Sequence, residues 1–369
     1  MQGKDNLIAT WVYLDPIGQE SQYSQVPGVS SNTDFQAIYW RCVATFFATS
    51  IRNNPQAQHV LFTNADHLPI MGDFDLQAFL SRQQVEVIRV SNTHLPPPGY
   101  YGAWRNQFYV FDIIQHLAAT LSPETCCIVL DSDCVWVRGI NTMEEAIRRV
   151  GLLTYDIGLK PGWPQNGLTP EEMKLIYEEL SGSILDHFPV YIGGELFAAT
   201  GEAARRVAAE IPPLWDEMME AHRQGRLKFN EEAHALSYLY HKLDYPSGTA
   251  NPFIKRIWTG LLYEKNVSAR DLELTIWHVP VEKRFGLGRL FTEVRNPVSR
   301  FWSIAPGSEL AHYVGSYLGI PRRSPAKLIR DVRKALREKG SPGAIVSAMG
   351  RALRQNMTHL LRRIWQVRS

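Results

Sequence analysis

The sequence predicts an α/β fold, in which a doubly wound, mainly parallel sheet is flanked by helices and followed by a C-terminal helical appendage. Short apolar segments typical of buried strands alternate with amphipathic segments typical of helices over residues 1–130. The 369 residues are 45% hydrophobic and 21% charged. This composition excludes a disordered chain, and the length suffices for one large domain with an appendage.

Strands and helices alternate regularly in the N-terminal part of the chain. The apolar patterns predict a strand over 7–14, a helix over 35–51, a strand over 59–64, a helix over 76–82, a strand over 85–90 and a helix over 104–118. The last helix leads to the apolar run 126–130. This order of elements is typical of a parallel sheet with crossover helices.

The pattern is looser after residue 133. Thr169, Pro170 and Glu172 have the spacing of a capping box with proline in the first helical turn, which predicts a helix ending near Gly182. Further predicted elements are a strand over 188–192, an apolar run over 196–199, helices over 201–224 and 231–242, and a late strand over 272–279.

Two carboxylates follow the apolar run 126–130 directly. This run predicts a strand buried on both faces, so Asp131 and Asp133 emerge at its C-terminal end, where open α/β sheets bind ligands. Two aspartates one residue apart can share a hard divalent cation, which prefers oxygen ligands and leaves room for substrate phosphates. The sequence therefore predicts a metal site that binds a nucleotide diphosphate. The alternative is a structural turn.

Asp131, Ser132 and Asp133, between the apolar run and residues 134–136, resemble the DxD signature of GT-A fold glycosyltransferases. This resemblance implies a GT-A catalytic domain over 1–300, with a nucleotide-binding half over 1–140 and an acceptor half over 141–300. It implies a hexosyltransferase that uses Mn²⁺ or Mg²⁺. The donor would be a nucleotide sugar, with a UDP-sugar favoured, and the acceptor a glycan or a lipid-linked molecule.

A late segment is distantly similar to the C-terminal element of the glycogenin-like family, in which a histidine completes the metal shell and a lysine contacts the diphosphate. In this chain the corresponding residues are His278 and Lys283, five positions apart. The resemblance implies that His278 is the third metal ligand and that Lys283 binds the nucleotide sugar. The alternative for His278 is a structural role.

Other donor contacts are predicted near the ends of early elements. Arg105, at the start of the helix that leads to the aspartates, occupies the place where the broad family puts a basic residue against the donor, and the guanidinium suits a diphosphate because it donates two hydrogen bonds at once. Tyr13 and Asn64 follow early strands and are candidate contacts for the nucleobase and ribose. A solvent-exposed Arg105 and a packing role for Tyr13 are the alternatives.

Three glutamates are candidates for acceptor binding or general base catalysis. Gly193 and Gly194 permit a tight turn and a close approach to the acceptor, with Glu195 directly after them. Glu231 and Glu232 open a helix and resemble the acidic pair of inverting GT-A enzymes, of which one member is the general base. Because the helix dipole favours acids in a first turn without any catalytic role, that alternative stays open, as does retention or inversion.

The charge is divided unevenly along the chain. Residues 321–369 hold 13 Lys and Arg and two Asp and Glu, which leaves 26 against 35 for residues 1–320. Residues 301–369 are predicted to form a basic amphipathic helical tail, whose apolar side ends in Leu360, Leu361, Ile364 and Trp365. Such a tail is typical of binding to an anionic membrane surface rather than to nucleic acid. A helical hairpin packed on the acidic body is the alternative.

The chain shows no run of about 18 apolar residues and no signal peptide, so a cytoplasmic location is predicted, with the tail placing the protein at the inner face of the cytoplasmic membrane.

Two other functions stay open. Residues 131–135 also fit the nucleophile motif of haloacid dehalogenase-like phosphatases, although no later Gly-Asp pair for magnesium follows. The third hypothesis is a membrane adaptor built on an inactive transferase domain.

Overall fold

The computed structural model of this chain describes residues 6–23, 26–103, 105–159, 162–261 and 266–337, with 343, 346, 347, 349 and 350. Its strands are β1 (Asn6–Val12), β2 (Gln58–Thr63), β3 (Ile70–Met71), β4 (Phe74–Asp75), β5 (Val85–Arg89), β6 (Cys126–Leu130), β7 (Cys134–Trp136), β8 (Leu152–Leu153), β9 (Leu196–Thr200), β10 (Ile254–Arg256) and β11 (Ile276–His278). Its helices are α1 (Thr33–Asn53), α2 (Leu76–Arg82), α3 (Tyr109–Thr120), α4 (Asn141–Val150), α5 (Pro170–Ser181), α6 (Gly201–Arg223), α7 (Glu232–Lys242), α8 (Gly286–Val294), α9 (Arg300–Ser303), α10 (Ser308–Leu318) and α11 (Pro325–Arg337).

The main sheet has six strands in the order β5-β2-β1-β6-β9-β8. The first four are parallel to one another, whereas β9 runs antiparallel to β6 and β8 antiparallel to β9. Helices cover both faces of this sheet, because Ile8 of β1 packs in one apolar layer with α1 and α8, while Leu7 and Ala9 pack in another with α3 and α6. The predicted α/β class with a mainly parallel sheet is confirmed.

A second, three-stranded sheet has the order β10-β11-β7. Strand β11 runs antiparallel to β7, with His278 opposite Cys134, and parallel to β10, with His278 opposite Arg256. Since β7 begins directly after the two aspartates, this sheet brings the late part of the chain to the end of β6.

Two predicted strands differ from the structure. The strand predicted over 188–192 is wrong: Pro189 has no N–H to donate, the N–H of Ile192 bonds to the Ser237 hydroxyl, and only Ile192 makes an isolated bridge, to Asp156. The late strand is shorter than predicted, because residues Ala269–Glu273 form a 3₁₀ turn before β11.

The helix predicted over 104–118 begins differently from the expectation. Residues Arg105–Phe108 form a 3₁₀ turn, and α3 follows it. Trp104 lies outside the described residues. By contrast, the capping box at Thr169 forms as predicted, since its hydroxyl accepts from the N–H of Glu172 and the Glu172 carboxylate accepts from the N–H of Thr169.

The described part of the tail, α11, packs on the body. Leu328 and Ala335 bury their side chains against Leu261, while Ile329 and Leu336 are more than half exposed. Most of the predicted membrane-facing stripe, including Leu360, Leu361, Ile364 and Trp365, lies outside the described residues. Among the helices that the structure describes, none is long and apolar enough to cross a membrane.

Candidate metal and substrate site

The turn after β6 holds both aspartates through backbone hydrogen bonds. The N–H of Asp131 donates to the carbonyl of Glu195 (3.2 Å), and the N–H of Cys134 donates to the carbonyl of Asp131 (3.0 Å). The N–H of Val279 donates to the carbonyl of Asp133 (3.2 Å). The ends of three strands, β6, β9 and β11, therefore meet at this turn.

Asp131, Asp133 and His278 form a candidate metal-binding group. One ligand atom from each lies within 4.8 Å of the others. The Nε2 atom of His278 is 3.2 Å from Oδ2 of Asp133 and 3.8 Å from Oδ2 of Asp131. Two carboxylates and one imidazole are a donor set that suits a divalent cation, and the partly exposed Asp131 leaves the group open to the cavity. These residues therefore fit a divalent metal.

Lys283 is the cation next to this group. Its Nζ atom lies 2.5 Å from Oδ2 of the buried Asp133. Burial acts to raise the pKa of Asp133, but the charges of Lys283 and His278 outweigh burial and hold that pKa well below its usual range. The pKa of Asp131 rises to about 6, because the carboxylate is desolvated and faces the charge of Asp133.

Glu195 lies behind His278, on the side away from Asp133. Its Oε1 atom is 2.9 Å from Nδ1 of His278, and Arg256 donates two hydrogen bonds to its carboxylate, from Nε (2.8 Å) and from Nη2 (2.6 Å). Burial opposes ionisation of Glu195, but Arg256 and His278 keep its pKa well below the usual range. A Cβ atom at Gly193 would overlap the Glu195 carboxylate, so glycine is required there.

Glu231 and Glu232, at the start of α7, are both buried. The Tyr191 hydroxyl donates to Oε1 of Glu231 (2.6 Å), and the Asn166 amide donates to Oε2. Burial raises the pKa of Glu231 to about 7 against these hydrogen bonds. The pKa of Glu232 lies well above its usual range, because of burial and the nearby charges of Glu231 and Asp131.

All these groups border one cavity of about 370 Å³. Its wall also contains several aromatic side chains, namely Trp11, Tyr13, Tyr23, Phe35, Tyr39 and Trp258. Flat apolar surfaces beside a candidate metal group and cationic side chains suit a ligand that combines a planar ring with anionic groups.

Most predicted site residues meet in this cavity. Tyr13, Asp131, Ser132, Asp133, Gly194, Glu195, Glu231, Glu232, His278 and Lys283 all line it. Gly193, Asn64 and Arg105 are not among the described lining residues. Asn64 instead bonds both backbone groups of Leu14, which does line the cavity, and Nε of Arg105 donates to the carbonyl of Pro96 (2.8 Å).

Many cavity residues have no counterpart among the predicted site residues, and four of them contact or face the charged groups described above. These four are Tyr39, Asn166, Tyr191 and Arg256. Arg256 belongs to the three-residue strand β10, which gives no periodic signal. Tyr39 lies within the helix predicted over 35–51, where its apolar ring fits a packing role as well as a site. Tyr191 lies in the segment predicted as a strand, so its contact with Glu231, 40 residues later, has no local signature.

Comparisons with known proteins find similarity to solved structures. No protein-family profile matches the chain, and no curated protein matches it. The crystal structure of mouse xyloside xylosyltransferase 1 in its apo form is similar with a TM-score of 0.42 and 10% sequence identity. The similarity covers 74% of this chain and 96% of that chain.

Proposed function

We propose that this protein is a metal-dependent glycosyltransferase that moves a hexose from a nucleotide sugar to a glycan or a lipid-linked acceptor. A UDP-sugar is the favoured donor. The observation that carries this proposal is the group Asp131, Asp133 and His278 at the end of a parallel strand, beside Lys283 and inside a cavity with aromatic walls.

Each part of the cavity has a task in this proposal. A divalent metal held by Asp131, Asp133 and His278 would supply positive charge where the leaving diphosphate becomes more negative. Lys283 provides a second cation at the same place, and Tyr13 offers an aromatic surface to the nucleobase. In this proposal Arg105 and Asn64 act in donor binding through the backbone segments that they hold.

Of the three glutamates, Glu231 is the one we assign as general base. Glu195 is held by two hydrogen bonds from Arg256, which keeps it ionised but leaves it weakly basic. Burial instead raises the pKa of Glu231 to about 7, close to the value at which a general base works best at neutral pH. A mechanism that inverts the anomeric carbon requires a general base, whereas a mechanism that retains its configuration would need no protein base.

Thermal unfolding with nucleotide sugars tests the proposal. Wild-type protein with Mn²⁺ should be stabilised by at least one of a set of UDP- and GDP-sugars, and EDTA should remove this effect. Asp133→Asn changes one ligand at nearly constant volume and should abolish both the stabilisation and transfer. The matched control is Asp66→Asn, because Asp66 is exposed and outside the cavity.

The same experiment separates the alternatives. Stabilisation that persists in EDTA and in Asp133→Asn would contradict a metal-dependent donor site. Donor binding without turnover on any glycan or lipid acceptor would favour the inactive adaptor. Hydrolysis of phosphomonoesters that depends on Asp131 would favour the phosphatase.

A further inference from the structure

Glu232 has a carboxyl oxygen without a partner. It is the first residue of α7, lines the cavity, and is only 6% exposed. Its Oε2 atom is shielded from water and has no hydrogen-bond partner among the described residues. A Cβ atom at Gly194 would overlap Oε1 of Glu232, so the carboxyl group lies directly against the Gly194 backbone. Buried polar atoms in folded proteins are nearly always paired, so an unpaired carboxyl oxygen on a residue that lines a cavity is a candidate contact for a ligand atom.

The surroundings of Glu232 differ from those of Glu195. Glu195 has Arg256 and His278 as partners and is therefore ionised. The charged groups that act most strongly on Glu232 are acidic, namely Glu231 and Asp131, and together with burial they raise its pKa well above the usual range. Burial and these charges therefore favour the uncharged carboxylic acid form of Glu232. In this form it offers one O–H donor and an acceptor oxygen.

We propose that Glu232 binds a hydroxyl group of the sugar substrate through its unpaired carboxyl oxygen, and that it is not the general base. This inference rests on the proposed glycosyltransferase function. A hydroxyl group matches the site because it both donates and accepts. A phosphate or carboxylate does not match it, since the neighbouring acidic residue Glu231 disfavours an anion there.

The neighbouring cavity wall suits the same ligand class. Gln165, Asn166 and Tyr191 line the cavity with uncharged hydrogen-bonding side chains. Polar groups of this kind recognise a polyhydroxylated molecule, whereas Lys283 and the metal-binding group suit the diphosphate. Glu232 would thus distinguish sugars by the position of one hydroxyl.

Two substitutions of Glu232 test this role. Glu232→Leu removes the hydrogen-bonding group, and Glu232→Gln keeps a donor and an acceptor at similar volume. The matched control is Glu202→Leu, because Glu202 occupies the first turn of α6 but is exposed and outside the cavity. Affinity is measured, with Mn²⁺, for the nucleotide sugar that stabilises the wild type most and for its parent nucleotide, and kcat and KM are measured for transfer.

We expect Glu232→Leu to weaken sugar binding about tenfold or more, as the loss of one hydrogen bond in a buried site predicts. The parent nucleotide should bind with wild-type affinity, which also shows that the variant is folded. Glu232→Gln should recover most of the loss. If the hydroxyl belongs to the donor, the nucleotide-sugar affinity falls. If it belongs to the acceptor, the acceptor KM rises while donor affinity is kept.

Two results would overturn the inference. Wild-type donor affinity and acceptor KM in Glu232→Leu would show that no hydroxyl is bound there. A loss of kcat in Glu232→Gln as large as in Glu232→Leu, with unchanged binding, would show that Glu232 is the base. If the wild type binds neither nucleotide sugar nor parent nucleotide, the proposed function itself fails, and this inference fails with it.

Discussion

The Nδ1 atom of His278 lies 2.9 Å from Oε1 of Glu195, on the side of the imidazole opposite to Asp133. Because Arg256 keeps Glu195 ionised, the Glu195 carboxylate can only accept a hydrogen bond, and Nδ1–H of His278 donates it. The lone pair of Nε2 then faces Asp131 and Asp133 when the imidazole is neutral. Glu195 thus acquires an orienting role in addition to the acceptor-side role that the sequence predicts.

This contact predicts that Glu195→Gln weakens metal binding. The amide group of glutamine carries no charge to hold Arg256, and its own N–H groups face the donors of Arg256 or His278. Loss of a carboxylate behind a metal-binding histidine typically costs about 10- to 100-fold in metal affinity. We expect a loss of this size for Mn²⁺, measured by the electron paramagnetic resonance signal of the free ion.

The control for this prediction is Glu210→Gln. Glu210 also pairs with a cation, Lys242, but on the surface and away from the cavity. Arg256→Met should weaken Mn²⁺ binding in the same direction as Glu195→Gln, because it releases the same carboxylate. Unchanged Mn²⁺ affinity in both Glu195→Gln and Arg256→Met would show that His278 needs no partner at Nδ1.

The pKa of Glu231 predicts a pH-dependent stability. In the unfolded chain Glu231 loses its proton near its usual pKa of 4.5, whereas in the folded protein burial raises that pKa to about 7. Between these values the folded state holds a proton that the unfolded state has released. Stability therefore falls as pH rises from about 4.5 to about 7, by at most about 3 kcal/mol from this group.

Glu231→Gln removes that titration. We expect the free energy of unfolding of the variant minus that of the wild type to be larger at pH 8 than at pH 5, by about 1–3 kcal/mol in urea titrations, which means that the variant is relatively more stable at pH 8. Transfer by the wild type should also decline below pH 7, because a general base must be deprotonated. Parallel stability profiles of the two proteins between pH 5 and pH 8 would contradict the raised pKa.

The sequence was sufficient for the strand β6, because the five consecutive apolar residues before Asp131 are too few for a buried helix and have the length of a strand buried on both faces. It was also sufficient for α5, since the Thr169 capping box is a local hydrogen-bonding pattern. In both cases the information lies within a few residues of the element itself, so tertiary contacts add little.

The place of Arg256 in the site and the position of the tail depend on contacts between residues that are distant in the sequence. Strand β10 has three residues, which are strand only because they pair with β11, and Arg256 enters the site through that pairing. Lys327 belongs to the basic tail, for which the sequence left membrane binding and packing on the body as alternatives, and it is buried against Glu282, 45 residues earlier. The hydrophobic periodicity of the sequence does not predict such a buried ion pair.

The buried ion pair of Lys327 predicts that α11 contributes to the stability of the body. Its Nζ atom lies 2.8 Å from Oε1 of Glu282 and 2.6 Å from Oδ1 of Asp331, and all three side chains are less than a tenth exposed. Lys327→Met would leave two buried carboxylates without this cation. Such a loss costs about 3–5 kcal/mol, which urea unfolding will measure.

A surface lysine provides the matched control. Lys242 pairs with Glu210 at 2.6 Å, but its side chain is 46% exposed. Lys242→Met should cost no more than about 1 kcal/mol, because exposed ion pairs contribute little. Equal losses in Lys327→Met and Lys242→Met would show that α11 does not hold its place through Glu282 and Asp331.

Because Lys327 and Leu328 of α11 are buried on the body, membrane binding of residues 321–369 requires a different truncation test. A chain that ends at Ile320 would lose the contacts of α11 with the body as well as the basic residues. A chain that ends at Arg337 keeps Lys327, Leu328 and their contacts. It removes only residues 338–369, which carry the remaining part of the predicted apolar stripe.

We expect the full chain to sediment with anionic phosphatidylglycerol vesicles and the chain that ends at Arg337 to bind them less. Ile329 and Leu336 are 55% and 57% exposed on α11, and Arg333 is exposed beside them, so Ile329→Ser and Arg333→Gln should weaken binding further. Each basic residue near such a surface contributes about 1 kcal/mol, and salt screens this attraction over about 10 Å at 0.1 M. Binding should therefore decrease as ionic strength rises. Equal sedimentation of all four proteins, or equal binding to neutral phosphatidylcholine vesicles, would instead support a tail packed on the body.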